Sequence, residues 1–182
     1  MSAYTSFAAL AVREGRPMAQ ATATTGAATF EEFFESERRG LFRALCLMTG
    51  DPHEAEELTQ DAFLHIWERW DRVREMEKPT GYLYRSAMNG FRSRKRRVLR
   101  AARVVVQPLR SNDPYEEADL RDAVLRALGK LGRRQRAAVV LTDLLGYGSA
   151  EAGRLLGVKP TSVRSLAAEA RAAMKDELGA QR

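Results

Sequence analysis

Residues 49–70, TGDPHEAEELTQDAFLHIWERW, contain the end of one helix, a turn and the start of a second helix. Thr49-Gly50 ends the first helix, because glycine readily follows a helix terminus. Asp51 then caps the second helix, Pro52 takes its first position, and Glu54 lies near the positive end of the helix dipole. The apolar stripe of this second helix has helical spacing and consists of Leu58, Ala62, Phe63, Ile66 and Trp70. The stretch therefore predicts two helices joined by a tight turn.

The segments on either side are also predicted to be helical. Upstream, Thr29-Phe-Glu-Glu32 matches a capping box. Apolar residues follow it at helical spacing, namely Phe30, Phe33, Phe34, Leu41, Leu45 and Met48. Residues 1–28 lack the pattern of a secretory signal and are interpreted as a flexible tail. Downstream, a third helix is predicted from about Thr80, and it ends in the basic run Arg92-Ser-Arg-Lys-Arg-Arg97.

Turn-forming residues between Val104 and Asp113 predict a domain boundary. A second helical block follows, with Ser149 as the predicted cap of one of its shorter helices. No segment shows the alternation of a strand, so the chain is predicted to be all-α, with two small helical domains joined by a flexible linker. The predicted units are a tail at 1–28, a domain at 29–103, a linker at 104–113 and a helix-turn-helix domain at 114–182. Such a linker allows either a closed or an open arrangement of the two domains.

Composition excludes several function classes. The chain has 182 residues, a formal net charge of +6 and one cysteine, Cys46, whose apolar neighbours predict a buried and inert thiol. The two histidines, His53 and His65, lack metal-binding spacing, and we find no phosphate-binding glycine loop and no nucleophile elbow. We therefore expect no cofactor, no metal and no enzymatic activity. No apolar run is long enough to cross a bilayer, and the cysteine count fits a reducing cytoplasm.

The last two predicted helices have the spacing of a helix-turn-helix motif, with Gly157 in the turn. In such motifs the N-terminal end of the second helix enters the major groove. Its predicted outward residues are Thr161, Ser162, Arg164, Ser165, Ala168 and Arg171. Arg164 could reach a guanine edge or a phosphate there. The alternative interpretation is an ordinary helical hairpin within a core.

The third helix is a second candidate surface. Tyr82, Tyr84 and Phe91 precede its basic run. Aromatic faces suit unstacked bases, and clustered cations suit the phosphate backbone. The alternative is a core helix with a solvated basic end.

A third candidate surface lies on the helix at 51–70. Gln60, Asp61, Leu64 and Trp67 lie away from its apolar stripe, with Trp67 at the edge. An exposed aromatic beside polar groups indicates a protein contact, unless Trp67 occupies a second packing face. The acidic residues Glu54, Glu56, Glu57 and Asp61 are interpreted as a solvated or partner-facing surface.

With these motifs in this order, the chain from about Phe30 to Leu178 resembles an RNA polymerase sigma factor of the extracytoplasmic-function group. Residues 50–70 resemble the polymerase-binding helices of region 2, and Gly81–Asn89 with the arginine run resembles the segment that melts and recognises the −10 element. Residues 131–171 resemble region 4, which recognises the −35 element.

The resemblance implies a role for each surface. Clamp helices of the polymerase's largest subunit would be bound by Gln60, Asp61, Leu64 and Trp67. The −10 element would be contacted by Tyr82, Tyr84, Arg85, Asn89, Arg92, Arg94, Lys95, Arg96 and Arg97, with Asn89 at a flipped base. The −35 element would be contacted by Lys159, Thr161, Ser162, Arg164, Ser165 and Arg171. The implied partners are the RNA polymerase core, including its flap, promoter DNA and an anti-sigma protein, without membrane insertion.

Two departures from the family pattern affect region 4. Gly132 stands where the family usually has proline, which predicts a looser helix start. Leu166, Ala168 and Glu169 occupy recognition-helix positions that are often basic or polar, which predicts weak or unusually specific binding. The runner-up function is a helix-turn-helix regulator that binds duplex DNA without polymerase; such a protein needs no strand-opening helix. An enzyme acting on nucleic acid is a third hypothesis, and the lack of a catalytic cluster opposes it.

Overall fold

The structure is a computed structural model that describes residues 29–98 and 117–179, except for the side chains of 94–98 and 117–122. All regular elements in these ranges are helical, which confirms the predicted all-α fold. The first half contains α1 (Phe30–Thr49), α2 (Pro52–Trp67), α3 (Trp70–Val73) and α4 (Pro79–Val98). The second half contains α5 (Glu117–Lys130), α6 (Arg133–Val139), a π-helical segment (Val140–Leu144), α7 (Ser149–Leu156) and α8 (Pro160–Gly179). The predicted tail at 1–28 and linker at 104–113 lie outside the described residues.

The predicted helix boundaries around the first turn are confirmed. The Thr29 hydroxyl accepts a hydrogen bond from the Glu32 N–H at 3.3 Å and so caps α1. Gly50 adopts a left-handed conformation with φ 74°, and its N–H donates to the Cys46 carbonyl at 2.8 Å. The Asp51 carboxylate then accepts from the His53 N–H at 2.9 Å and caps α2.

Two local predictions differ from the structure. Ser149 is the first helical residue of α7, and the N-cap is Gly148, which has no side chain to offer the free N–H groups. The helix predicted at 51–70 ends at Trp67 and is followed by the short helix α3, in which Val73 is completely buried and its N–H donates to the Arg69 carbonyl at 2.9 Å. Burial of Val73, together with packing of Trp70 and Met76 against the core, orders this mostly polar segment.

Both halves bury apolar side chains: one hydrophobic cluster contains residues of both halves, and a second cluster has all its buried members in the second half. In the first half α1 packs on α2, and α2 packs on α4; in the second half α8 packs on α5, α6 and α7. The halves also contact each other, through α1 against α6 and through α4 against α7. Tyr84 and Tyr147, one from each half, lie with ring centroids 6.4 Å apart. The structure therefore shows the closed arrangement, one of the two that the sequence left open.

The helix-turn-helix motif of α7 and α8 depends on close backbone packing. Gly157 ends α7 in a left-handed conformation with φ 67°. Gly153 lies one turn earlier, and a Cβ atom placed on it would lie 2.8 Å from the Val158 carbonyl oxygen. A methyl group does not fit at that distance, and the contact is with backbone, which cannot rotate away. The turn thus requires glycine at 153 for space.

We expect Gly153→Ala to lower the free energy of unfolding by about 1–3 kcal/mol, because the methyl group forces the turn apart. Alanine would otherwise favour a helix interior by about 1 kcal/mol. Gly148→Ser is the matched control, because its Cβ meets open space, and it should stabilise by a few tenths of a kcal/mol through capping. Urea denaturation measures both. Equal stability of Gly153→Ala and the unmodified chain would contradict the close packing.

Candidate protein- and nucleic-acid-binding surfaces

An apolar patch lies on α2, and we call Leu64 and Trp67, with Gln60 and Asp61 beside them, the α2 patch. Leu64 is 60% exposed and Trp67 is 56% exposed, although both are large apolar side chains. They are three residues apart and so share one face of the helix. Gln60 and Asp61 are exposed one turn earlier. The sequence predicted these four residues as one surface, and the structure brings them together.

Aromatic packing fixes the position of Trp67. Its ring meets the Phe30 ring edge-to-face, with centroids 4.9 Å apart. Phe30 in turn contacts Phe63 and Trp70 at 6.3 and 5.7 Å. Trp67 thus packs along one side and leaves the rest of its ring exposed. The packing interpretation holds in part, and the protein-contact interpretation stays a prediction. A rigid aromatic at the surface loses little entropy on binding a partner.

The register of α4 separates its candidate residues into two faces. Its buried face carries Leu83, Tyr84, Ala87, Met88 and Phe91. Arg85 and Asn89 are exposed on the other side, and Arg92 is half-buried. Residues 85, 89 and 92 are spaced by four and three, so they form one stripe. The side chains of Arg94, Lys95, Arg96 and Arg97 lie outside the described residues.

The prediction that Tyr84 contacts DNA is wrong for this arrangement. Tyr84 is 1% exposed and lies in the shared core. Burial, and then the nearby Glu37 and Tyr147, raise the pKa of its hydroxyl. Tyr82 is half-buried, and its ring stacks on His65 with centroids 6.1 Å apart. Of the two tyrosines, Tyr82 therefore has the accessible edge.

The face of α8 that the sequence predicted to point outward is exposed. Val163, Ala167, Ala170 and Met174 are buried. The exposed residues at and before its N-terminal end are Lys159, Thr161, Ser162, Arg164 and Ser165. Cations and hydroxyls thus share the first turns of one helix.

Arg171 is exposed, but its guanidinium is engaged by the protein. Its Nε and Nη2 donate to the Asp143 carboxylate at 2.9 and 3.0 Å. Asp143 lies in the π-helical segment, and its side chain is only 13% exposed. The pair links that segment to α8.

Two of the residues that depart from the family pattern in region 4, Gly132 and Glu169, are bonded to Gln135. The Gly132 N–H donates to Gln135 Oε1 at 3.1 Å, and Gln135 Nε2 donates to the Glu169 carboxylate at 3.0 Å. Gly132 has φ −60° and ψ 146°, an extended conformation that proline also adopts. The helix start is therefore held by a side-chain bond, and the prediction that it is looser finds no support in this geometry.

Sequence reasoning missed the contacts between the halves. Glu54 was interpreted as part of an acidic surface, but its carboxylate accepts two hydrogen bonds from Arg133, at 2.8 and 2.5 Å. The two residues are 79 positions apart, and no spacing signal relates residues at that separation. Arg136 is a further buried residue between the halves.

Two further predictions concern the core and the membrane. Cys46 is buried as predicted, and desolvation, with a smaller contribution from Asp51, raises the pKa of its thiol to about 12. Its thiolate is therefore scarce at neutral pH. Each helix in the described residues is too short or too polar to span a bilayer.

Comparisons with known proteins agree with this geometry. The family model for Sigma-70 region 2 matches residues 33–101, and the model for Sigma-70 region 4 matches residues 121–174. The chain is 34% identical over 156 residues to the ECF RNA polymerase sigma factor SigM of Mycobacterium tuberculosis, covering 82% of this chain and 77% of that protein. It is 26% identical to the RNA polymerase sigma-E factor of Streptomyces coelicolor, covering 84% and 87%.

Two solved structures share the fold. One is the sigma factor RpoE in complex with the anti-sigma factor NepR from Bartonella quintana, with a TM-score of 0.66, 21% identity, and coverage of 84% of this chain and 98% of that chain. The other is CnrH in complex with the cytosolic domain of CnrY, with a TM-score of 0.55, 22% identity and full coverage of both chains. Together with the sequence matches, the paired region 2 and region 4 helices show that the chain belongs to the ECF family of RNA polymerase sigma factors.

Proposed function

We propose that this chain directs bacterial RNA polymerase core to specific promoters and helps to open the −10 element. The polymerase performs the chemistry in the cytoplasm, and the chain contributes recognition and melting without a cofactor or catalytic activity of its own. The single observation that carries the proposal is the exposed α2 patch, because a regulator that acts without polymerase has no use for it.

The α2 patch has the composition of a protein-binding hot spot. A tryptophan and a leucine form an apolar centre, and Gln60 and Asp61 form a polar rim. Interface hot spots are enriched in tryptophan, and a rim of polar residues excludes water around them. The resemblance to region 2 assigns this surface to the clamp helices of the largest subunit. The flap is assigned to the second half on the same ground.

The stripe of Arg85, Asn89 and Arg92 is suited to single-stranded DNA. It lies opposite the buried face of α4, so DNA contact does not disturb the core. Asn89 offers an amide to the edge of a flipped base, and arginine contacts phosphate or stacks on bases. The basic run at residues 94–97 continues along the same helix, and Tyr82 adds an aromatic edge. We assign this surface to the −10 element.

The exposed first turns of α8 are suited to duplex DNA. Arg164 has the reach to make two hydrogen bonds to guanine, and Thr161, Ser162 and Ser165 offer hydroxyls to bases or phosphates. Lys159 adds a charge at the helix start. We assign this surface to the −35 element, and Arg171 to positioning.

We also propose that an anti-sigma protein binds this chain. The support is that both structural relatives were solved as complexes, one of them with a protein named as an anti-sigma factor. The exposed α2 patch and the two DNA-binding faces are the surfaces that such a protein would cover.

Run-off transcription from genomic fragments with sigma-free core polymerase tests the proposal. We expect promoter-dependent transcripts, and we expect Trp67→Ala to weaken core binding by tenfold or more, about 1.4 kcal/mol at least, as for interface hot spots. Lys78→Ala, which changes an exposed residue that is not a member of the α2 patch, is the control and should bind normally. If no core binding and no promoter-dependent transcript were found, the proposal would be rejected.

Charge neutralisation tests the −10 surface. Replacing Arg94, Lys95, Arg96 and Arg97 by glutamine should weaken binding to all promoters. It should also reduce the slope of log affinity against log salt concentration, by up to about 0.9 for each phosphate that the variant no longer neutralises.

Arg164→Ala should instead change sequence preference. Filter binding over a salt series measures both effects. An unchanged salt slope would contradict a phosphate-contacting role for the basic run.

The role of Arg171 is separable from DNA contact. If Arg171 positions α8 through its pair with Asp143, each of the variants Asp143→Asn and Arg171→Gln should lower the free energy of unfolding by about 1 kcal/mol. The two losses should be non-additive when the substitutions are combined. Both should leave the salt slope of promoter binding unchanged. A slope reduced by about 1 in Arg171→Gln alone would identify a phosphate contact instead.

A further inference from the structure

The two halves meet at a seam whose centre is an ion pair. We use "the seam" for the contacts of Thr49, Glu54, Phe91 and Arg92 with Arg133, Arg136 and Arg154. Arg133 donates two hydrogen bonds to the Glu54 carboxylate, at 2.8 and 2.5 Å. The two side chains are 24% and 14% exposed. The Arg133 guanidinium also lies 4.2 Å from the centroid of the Phe91 ring, a cation–π distance. A bidentate, partly desolvated pair of this kind is geometrically specific.

A second arginine in the seam, Arg136, is poorly satisfied, and Arg133 itself leaves one buried donor, its Nε, without a hydrogen-bond partner among the described residues. Arg136 is 6% exposed, and its Nη2 donates to the Thr49 carbonyl at 3.4 Å. Its Nε and Nη1 are buried and have no hydrogen-bond partner among the described residues. Burial, and then the neighbouring Arg133, lower the pKa of Arg136, and Glu54 only partly offsets them. Buried donors without partners destabilise the arrangement that buries them, so Arg136 opposes the closed form.

The seam also engages the DNA-facing stripe of α4. Arg92 donates from Nη2 to the Asn89 side-chain oxygen and from Nη1 to the Arg154 carbonyl at 3.4 Å. Its side chain lies against Gly157, where a Cβ atom would be 2.9 Å from Nη1. Two members of the stripe are therefore bonded to each other, and Arg92 is also bonded to the end of α7. A nucleic acid at this face competes with the seam for Arg92.

Resting on the proposed function, we infer that the seam is an autoinhibitory latch: the Glu54–Arg133 pair holds the halves closed and withholds Arg92 from single-stranded DNA until the halves separate. The chain length permits separation, because the 18 residues from 99 to 116 can span at most about 60 Å. Arg136 keeps the closed form weak enough to open. The apparent DNA affinity then equals the affinity of the open form multiplied by its population.

The latch predicts opposite effects from two arginines of the seam. Arg133→Gln removes the central pair and should raise the open-to-closed ratio about tenfold. Arg136→Met replaces an unsatisfied buried cation by an apolar side chain of similar length and should lower that ratio. Glu54→Gln should open the chain as Arg133→Gln does. The matched controls are Arg134→Gln and Glu56→Gln, which remove the same charges from exposed neighbours on the same helices.

Energy transfer between dyes measures the arrangement in the full chain. Glu75→Cys and Lys175→Cys place one exposed thiol in each half, and the buried Cys46 resists labelling. We expect lower transfer efficiency in Glu54→Gln and Arg133→Gln, higher efficiency in Arg136→Met, and no change in the controls. Circular dichroism verifies that each variant is folded. If Arg136→Met does not fold, the comparison of Arg133→Gln with Arg134→Gln still tests the latch.

Anisotropy measures the affinity of each variant for a random-sequence single-stranded 20-nucleotide DNA, and so reports whether the DNA-facing stripe of α4 is accessible. Arg133→Gln should bind about tenfold more tightly than Arg134→Gln, although both lose one positive charge and electrostatics alone weakens binding. Binding no tighter than that of Arg134→Gln, or unchanged energy transfer, would overturn the latch. Neither measurement contains polymerase, so a failed latch leaves the run-off test of the proposed function untouched, and a failed run-off test leaves these two results standing.

Discussion

The turn at Thr49–Asp51 is the local structure on which both the fold and the seam depend. Gly50 reverses the chain in a left-handed conformation, and the buried Thr49 hydroxyl lies 2.8 Å from the Leu45 carbonyl while accepting from the Asp51 N–H at 3.1 Å. These bonds fix α1 against α2. The same turn presents the Thr49 carbonyl to Arg136 and, one turn further, Glu54 to Arg133. One reversal of the chain therefore defines the first half and the surface that meets the second.

The sequence predicted the elements that depend on near neighbours. The caps at Thr29 and Asp51, the stripe around Leu58 and the outward face of α8 all follow from interactions within about four residues. The prediction that Tyr84 is exposed to DNA failed because Tyr82, Tyr84 and Arg85 lie within one turn of α4. A small change of register there exchanges the buried and exposed faces of the helix. The seam was missed because its partners, at separations of 79 and 87 residues, share no local pattern.

Region 4 shows how an unusual sequence can retain a common geometry. Gln135 uses both ends of its amide: Oε1 accepts from the Gly132 N–H, and Nε2 donates to Glu169. One side chain thus secures a helix start that lacks proline and bonds an acidic residue of the recognition helix. Arg171 is likewise directed to Asp143. Under the proposed function, direct contact with DNA at this helix is left chiefly to its first turns, where Arg164 and the hydroxyl residues lie.

Under the proposed function and the proposed latch, the two ends of α2 serve different steps. Glu54 lies in its first turn and Trp67 at its last residue, about 20 Å apart at the rise of an α-helix. The α2 patch is exposed while the seam is closed, so docking on a partner does not require the halves to separate. Arg92, by contrast, is bonded across the seam. A chain with a net charge of +6 would otherwise bind DNA non-specifically through its basic helix. Withholding part of that helix until after docking favours assembly on the polymerase before contact with promoter DNA.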